Sequence, residues 1–228
     1  MKKSVCRYFF YFLGMFILAL GLTFNTKSGL GATAIISVSY SISEIWKLDF
    51  GNTTFCMYLV FILMQLFLHW KKYGFTAKDC FVKDLLQIPM GAVFTRFLNL
   101  FSTIIPVFAE AYAGTFWGSM NGRLLVLAAG VLCTGIGSAL SIPMNLVVST
   151  GDGIVKAVAD YFEISTGLAK NIVDFGCVAF SAALGLLCTG SLAGVGIGTF
   201  ASMIFVGRVI AGFDLLFKEK LLDLAGLK

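Results

Sequence analysis

Charge, proline and histidine are what this sequence has little of. Asp, Glu, Lys and Arg together make up 13% of its 228 residues, with three prolines and a single histidine, His69. Soluble domains carry about 25% charged residues, so a chain with half that share and 58% hydrophobic residues cannot hide its apolar surface from water. A mean hydropathy of +0.91 agrees. So few prolines exclude a proline-rich tract and leave long helices uninterrupted. The six cysteines (Cys6, Cys56, Cys80, Cys133, Cys177, Cys188) are scattered and lack CxxC spacing, which with one histidine argues against a zinc site or disulfide framework. No cofactor and no metal is expected. The net charge of +5 gathers at helix ends and forms no continuous basic tract, which favours orientation signals over nucleic-acid binding.

What is abundant is Phe, at 23, and Gly, at 25, the mixture expected when lipid-facing residues alternate with small ones where helices touch. The expected fold class is all-α: a polytopic membrane protein whose main partner is the lipid bilayer. Lys2, Lys3 and Arg7 ahead of an apolar stretch, with Ala19-Leu20-Gly21 behind it, imitate a secretory signal. A matching segment recurs in mid-chain, so the stretch reads as an uncleaved first span.

Sliding the chain against itself by 116 places aligns Gly14, Gly21, Gly51, Gly74 and Gly91 with Gly130, Gly137, Gly167, Gly190 and Gly207. With seven glycines in the first 112 residues and 17 in the last 112, chance gives about one coincidence, and five occur. Phe97 and Phe101 also fall on Phe213 and Phe217. The reading is a duplication, with residues 1–112 and 117–228 as repeats within one membrane domain. Each repeat holds four segments: 8–26, 33–47, 53–70 and 85–108, then 123–143, 152–163, 168–189 and 192–217. Spanning needs about 20 apolar residues, and the second segment of each repeat is too short.

Both short segments are amphipathic. Val38, Ile42, Ile45 and Trp46 form a stripe matched by Ile154, Val158, Tyr161 and Phe162, opposite Ser37, Ser41 and Glu44 in one copy and Lys156 and Asp160 in the other. Each is either an interfacial helix or a half-helix dipping in to line a cavity. Charge placement favours three crossings per repeat. With Lys2, Lys3 and Arg7 inside, this keeps Lys71, Lys72, Lys78 and Lys83 inside, the Glu110 loop outside, and Lys218, Lys220 and Lys228 inside. Three is odd, so the repeats are expected to be inverted, with six spans and both termini cytoplasmic in a bacterial cell membrane.

Ionisable groups within apolar spans are candidates for function. Arg96, Arg208 and Asp174 are such groups, and Asn171 extends the polar face of Asp174. They form either a structural Asp–Arg pair or a midplane anion site, since an arginine fork matches carboxylate or phosphate oxygens. A second concentration follows the first span of each repeat: Asn25 to Gly31, then Ser141 to Gly153. In the latter, Pro143 breaks the backbone and Asn145, Ser149, Thr150, Gly151 and Asp152 supply turn and capping chemistry before the short helix. A helix N-terminus after a broken helix suits an anion. The equivalent pair Glu44 and Asp160 completes the candidates. Gly194, Gly198 and Ser202 read as helix packing at four-residue spacing, and His69 as interfacial.

The stretches Leu140 to Asp160 and Gly194 to Thr199, with Lys27-Ser-Gly-Leu-Gly31 and Leu86-Gln-Ile-Pro89, resemble the YczE-like group of bacterial membrane proteins, related in character to the YitT-like proteins. The resemblance implies an integral protein of the bacterial cell membrane and carries no catalytic residues with it. Three functions stay open: a small secondary transporter or carrier for a small anionic or zwitterionic solute, a substrate-capturing subunit of a larger transport complex, or a non-transporting scaffold or regulator. A homo-oligomer or a partner subunit is compatible with all three. No acid, base and metal-ligand cluster suggests an enzyme.

Overall fold

A computed structural model describes residues 2–74 and 78–227. Lys228 and the side chains of Lys2, Lys3 and Lys78, all counted in the orientation argument, lie outside the described residues. The described residues are helical and contain no strand. The helices are α1 (Lys2–Lys27), α2 (Ser37–Trp46), α3 (Phe50–Tyr73), α4 (Lys78–Leu85), α5 (Gln87–Ile104), α6 (Phe108–Ala111), α7 (Met120–Ser141), α8 (Thr150–Phe162), α9 (Thr166–Thr189) and α10 (Ile197–Ala225). Six helical stretches are long and apolar enough to cross a membrane: Ser4–Lys27, Phe50–Tyr73, Asp79–Ala111, Met120–Met144, Thr166–Thr189 and Ile197–Ala225. The short segments are α2 and α8, as the sequence suggests.

Element ends follow from capping. Asp49 and Ser165, 116 positions apart, accept from the amides of Asn52 and Leu168 and start α3 and α9. Lys47 and Glu163, again 116 apart, end α2 and α8 in the left-handed region at φ 54° and 56°. The helix break between α4 and α5 precedes Pro89, which has no amide to donate to the carbonyl of Leu85. The last helix starts later than expected. Gly190 and Gly194 take positive φ values of 67° and 79°, so Gly194 lies in a turn and not on a helix. This turn packs on the segment after α1, where Ala32 N donates to Gly194 O at 2.9 Å and Gly198 N to Leu30 O at 2.7 Å. A side chain on Gly196 would meet the Leu30 carbonyl, so backbone approach, more than helix packing, explains this glycine run.

The centre of the protein is the pair α1 and α7, its most extensive helix contact. Gly14 lies against Gly137 and Ser141, and Gly21 against Gly130 and Thr134, so the helices run antiparallel. In hydrocarbon, burying a leucine against a neighbour gains little over leaving it in lipid, so close approach and polar pairs must hold helices together. Asn25 donates to Thr134 Oγ1 at 3.3 Å inside this interface. Around it, α2 packs on α9 while α8 packs on α3. The apolar core gathers Met15, Ala19 and Leu22 of α1, Met57 and Phe61 of α3, Leu98 of α5, and Ile154 and Val155 of α8.

The amphipathicity of α2 is the reverse of a helix facing water. Its buried residues are Ser37, Ser39, Ser41 and Ser43, while Trp46 is exposed. Where the surroundings are apolar, the serine face is the one that needs the protein. In α8 the stripe residues Ile154 and Val158 are buried and Phe162 is exposed.

Candidate functional site

Both short helices begin in the protein interior and end at its periphery. Ile35 and Gly151, which precede α2 and open α8, touch: a Cβ on Gly151 would lie 3.0 Å from Ile35 Cδ1. The α2 end is fixed by α9, where Ser181 contacts Ser41 and donates to Ser37 O at 3.1 Å. Thr54 of α3 donates to Ser39 Oγ at 3.1 Å. The α8 end is capped by Ser149, whose Oγ accepts from Asp152 N at 3.2 Å and donates to Asp152 Oδ2 at 2.8 Å. Thr150 is buried, and its carbonyl lies 3.5 Å from Gln65 Nε2. The turn before α2 and the first turn of α8 therefore touch at Ile35 and Gly151, while Ser149, the cap of α8, is exposed.

A recess lies beyond the far end of each short helix, the one at α8 open and shallow. One, of about 240 Å³, is lined by residues including Lys27, Tyr40, Glu44, Lys47 and Ser102. The other, of about 340 Å³, is lined by Lys72, Lys156, Asp160, Glu163, Ile164 and Thr166. Tyr40, Glu44, Lys47, Leu48 and Phe50 of the first stand 116 positions before Lys156, Asp160, Glu163, Ile164 and Thr166 of the second. Both cavities carry charges of both signs. In the first, Glu44 pairs loosely with Lys47 at 3.7 Å on the surface, worth little in stability, and burial pushes the Tyr40 phenol up. In the second, Lys72 reaches Asp160 at 3.2 Å and Glu163 at 3.7 Å. Hydrogen bonding from Tyr73, at 2.7 Å, and from Lys72 holds the Asp160 carboxyl below the usual carboxylate range.

The charges read from the spans are not brought together. Arg96 of α5 is exposed and donates to Asn52 Oδ1 at 2.6 Å. Arg208 of α10 is exposed over the Phe205 ring, 5.5 Å from its centroid, and donates to Ile204 O. The ionic partner of Asp174 is Lys170, one turn back on α9, at 3.0 Å. Asp174 Oδ1 is buried without a hydrogen-bond partner, on the helix that packs against both α2 and α8. Asn171 is exposed on the same helix. Thr33, which precedes α2 as Ser149 precedes α8, also buries an unpartnered hydroxyl.

Two features were not drawn from the sequence. Arg7 donates to Met144 O at 2.6 Å and Asn145 O at 2.7 Å, closing the end of α7. Arg123 donates to Ser28 O and Gly29 O, both at 2.7 Å, closing the end of α1. Every residue of one set lies 116 positions from its counterpart, and Gly29 and Asn145 both take positive φ, at 68° and 49°. The 116-residue offset of the glycines held this signal. The other missed feature is a buried polar chain through His69, Asp84, Gln87 and Gln65, signalled only by two glutamines in apolar surroundings.

The fold defines a multi-pass α-helical membrane protein. A family model described as a family of unknown function (DUF6198) matches residues 5–215. The chain belongs to that family. No curated protein and no solved structure matches it.

Proposed function

We propose that this protein is a small secondary transporter, built of two inverted repeats, that moves a small zwitterionic or anionic solute across the bacterial cell membrane. The observation that carries the reading is the contact of Ile35, just before α2, with Gly151 in the first turn of α8, between two open recesses that use equivalent residues. Half-helices that meet inside a bilayer and offer their amides to an anionic group are a transporter device. Asp174, with one buried oxygen unpartnered, and Asp152 add a place for a cationic group, so an amino-acid-like zwitterion fits better than a bare anion. The flanking segment Asn145 to Asp152 positions the α8 N-terminus; Asn171, Glu44 and Asp160 line the approaches; Arg96 and Arg208 sit farther out. No enzymatic step is proposed.

The reciprocal arrangement supports the duplication. Gly14 meets Gly137, and the equivalents Gly130 and Gly21 meet in turn. Antiparallel equivalents are what a pseudo-two-fold axis in the membrane plane produces. In this reading Arg7 lies inside, both termini are cytoplasmic, and the second recess faces inward and the first outward. The repeats also differ: Gly51 packs on Asn99 of α5 and Gly91 on Tyr58, whereas their equivalents Gly167 and Gly207 meet nothing within 4 Å. Repeats of one sequence type in two arrangements suit alternating access. We also propose that the protein is kin to the YczE-like proteins.

Uptake of radiolabelled amino acids and short carboxylates into proteoliposomes tests it. Saturable uptake that Asp174→Asn lowers at least tenfold, with folding intact, is expected; a folded protein inert toward the whole panel overturns the reading. One observation favours a partner-dependent version. Of the 29 residues of α10 only Gly198, Thr199, Ser202, Leu221 and Ala225 are buried, which leaves an apolar helix face for an energising subunit or a second copy. Co-purification of an ATPase with the native protein would favour it.

A further inference from the structure

The only histidine of the sequence lies at the inner end of α3, within a buried polar chain that leads to α8. His69 Nδ1 is 2.7 Å from Asp84 Oδ2, and both side chains are largely buried, at 14% and 6% exposure. Asp84 Oδ1 is 3.5 Å from Gln87 Nε2. Gln87 and Gln65 form a reciprocal amide pair, Gln87 Nε2 to Gln65 Oε1 at 2.8 Å and Gln65 Nε2 to Gln87 Oε1 at 3.3 Å. Gln65 Nε2 then reaches the Thr150 carbonyl in the first turn of α8. The amide pair rests on the backbone of α8, because a Cβ on Gly153 would fall 2.6 Å from Gln65 Oε1.

We infer that His69 and Asp84 form a proton-binding site whose occupancy sets the position of α8, so that the coupling ion of transport is a proton. With His69 protonated, the pair is an imidazolium and a carboxylate, and Asp84 keeps an oxygen for Gln87. Loss of the proton leaves a buried carboxylate without its counter-charge, which a protein interior tolerates poorly. The charges bearing on His69 are Asp84 of α4 and Asp160 of α8. Lys72, three positions on and so on the same face of α3, already holds Asp160 and Glu163, while Tyr73, near Cys80 of α4, donates to Asp160. Lys72 is a cation able to answer the loss, and drawing it toward Asp84 releases the C-terminal end of α8. The Gln87 and Gln65 amides carry the same change to its first turn. A purely structural His–Asp pair would need neither the glutamine relay nor contact with a helix that lines the second cavity.

The inference rests on the transport reading, and the test separates the two. In a cysteine-free background, spin labels at Phe162→Cys on α8 and Leu85→Cys on α4 report the distance between these helices in lipid nanodiscs from pH 5 to 8. Ring-labelled histidine gives one NMR signal, that of His69. The expected result is a change in the distance distribution over the same pH interval as the imidazole titration. His69→Gln abolishes the change, and Asp84→Asn moves it to another interval. His69 titrating while the distance stays fixed overturns the inference, as does a pH-driven change that persists in His69→Gln. Solute uptake without proton movement, read with a pH dye inside proteoliposomes, overturns the coupling while leaving transport standing. A proton-driven movement of α8 in a protein that carries no solute overturns transport and leaves the proton site.

Discussion

Replacing Gly21 by alanine tests the backbone contact on which the α1 and α7 pair depends. The added Cβ would lie 2.6 Å from Thr134 Oγ1 and 2.8 Å from the Gly130 carbonyl, and would also meet the Thr134 amide. Since carbon contacts settle at about 3.5–4.0 Å, the helices must part by about 1 Å. Two of the opposing atoms are backbone, with no rotamer to absorb the clash, which places the cost near the top of the overpacking range, about 3 kcal/mol. Alanine returns up to about 1 kcal/mol through helix propensity, leaving a net loss of about 2 kcal/mol. Gly207→Ala is the control: nothing lies within 4 Å of its new methyl, so it should be neutral or gain up to about 1 kcal/mol. Reversible unfolding in mixed micelles by added SDS, followed by circular dichroism, measures both. Equal stability of the two variants, at or above the unmodified protein, would refute the close packing of α1 and α7.

The arginine caps give a paired prediction. Arg7→Ala and Arg123→Ala should each cost about 2–3 kcal/mol, since each removes charge-assisted hydrogen bonds to two carbonyls at a helix end; similar losses support the reciprocal design, and a loss in one variant alone contradicts it. At Asp160 the depressed carboxyl stabilises the fold only while ionised: its contribution is present above the unfolded value of about 3.9 and is lost as pH falls through the lower folded value. Thermal unfolding should therefore find Asp160→Asn weaker than the unmodified protein at pH 7, with the gap closing below about pH 4; a gap that persists there argues against the pairing. Because Asp160 is partly exposed, the difference at neutral pH should be small.

Much of the architecture was legible because lipid imposes simple rules. Long apolar runs had to be helices, and the segments beginning near Ser37 and Thr150 were too short to cross. Capping chemistry at Ser149 and Asp152 marked the start of α8 from sequence alone. The orientation of α2 was not legible: a serine stripe opposite Val38, Ile42 and Trp46 reads as water-facing unless the surroundings are known to be hydrocarbon. Pairings that join residues far apart in sequence, such as Arg7 with Asn145 or His69 with Asp84, depend on how helices dock, which periodicity does not encode. Arg96 and Arg208 drew attention because charge inside a span is costly, yet each has a path to the surface of the helix bundle. Asp174 does not: it stays buried on α9.

The most direct test of the account is whether the two short helices meet. In a cysteine-free background, Ile35→Cys and Gly151→Cys should join in one chain when membranes are treated with a short thiol cross-linker, and the bridged protein should lose uptake that a reducible cross-linker restores on reduction. Failure to cross-link, with both thiols open to an impermeant reagent from the same side of the membrane, would contradict an interior contact between Ile35 and Gly151.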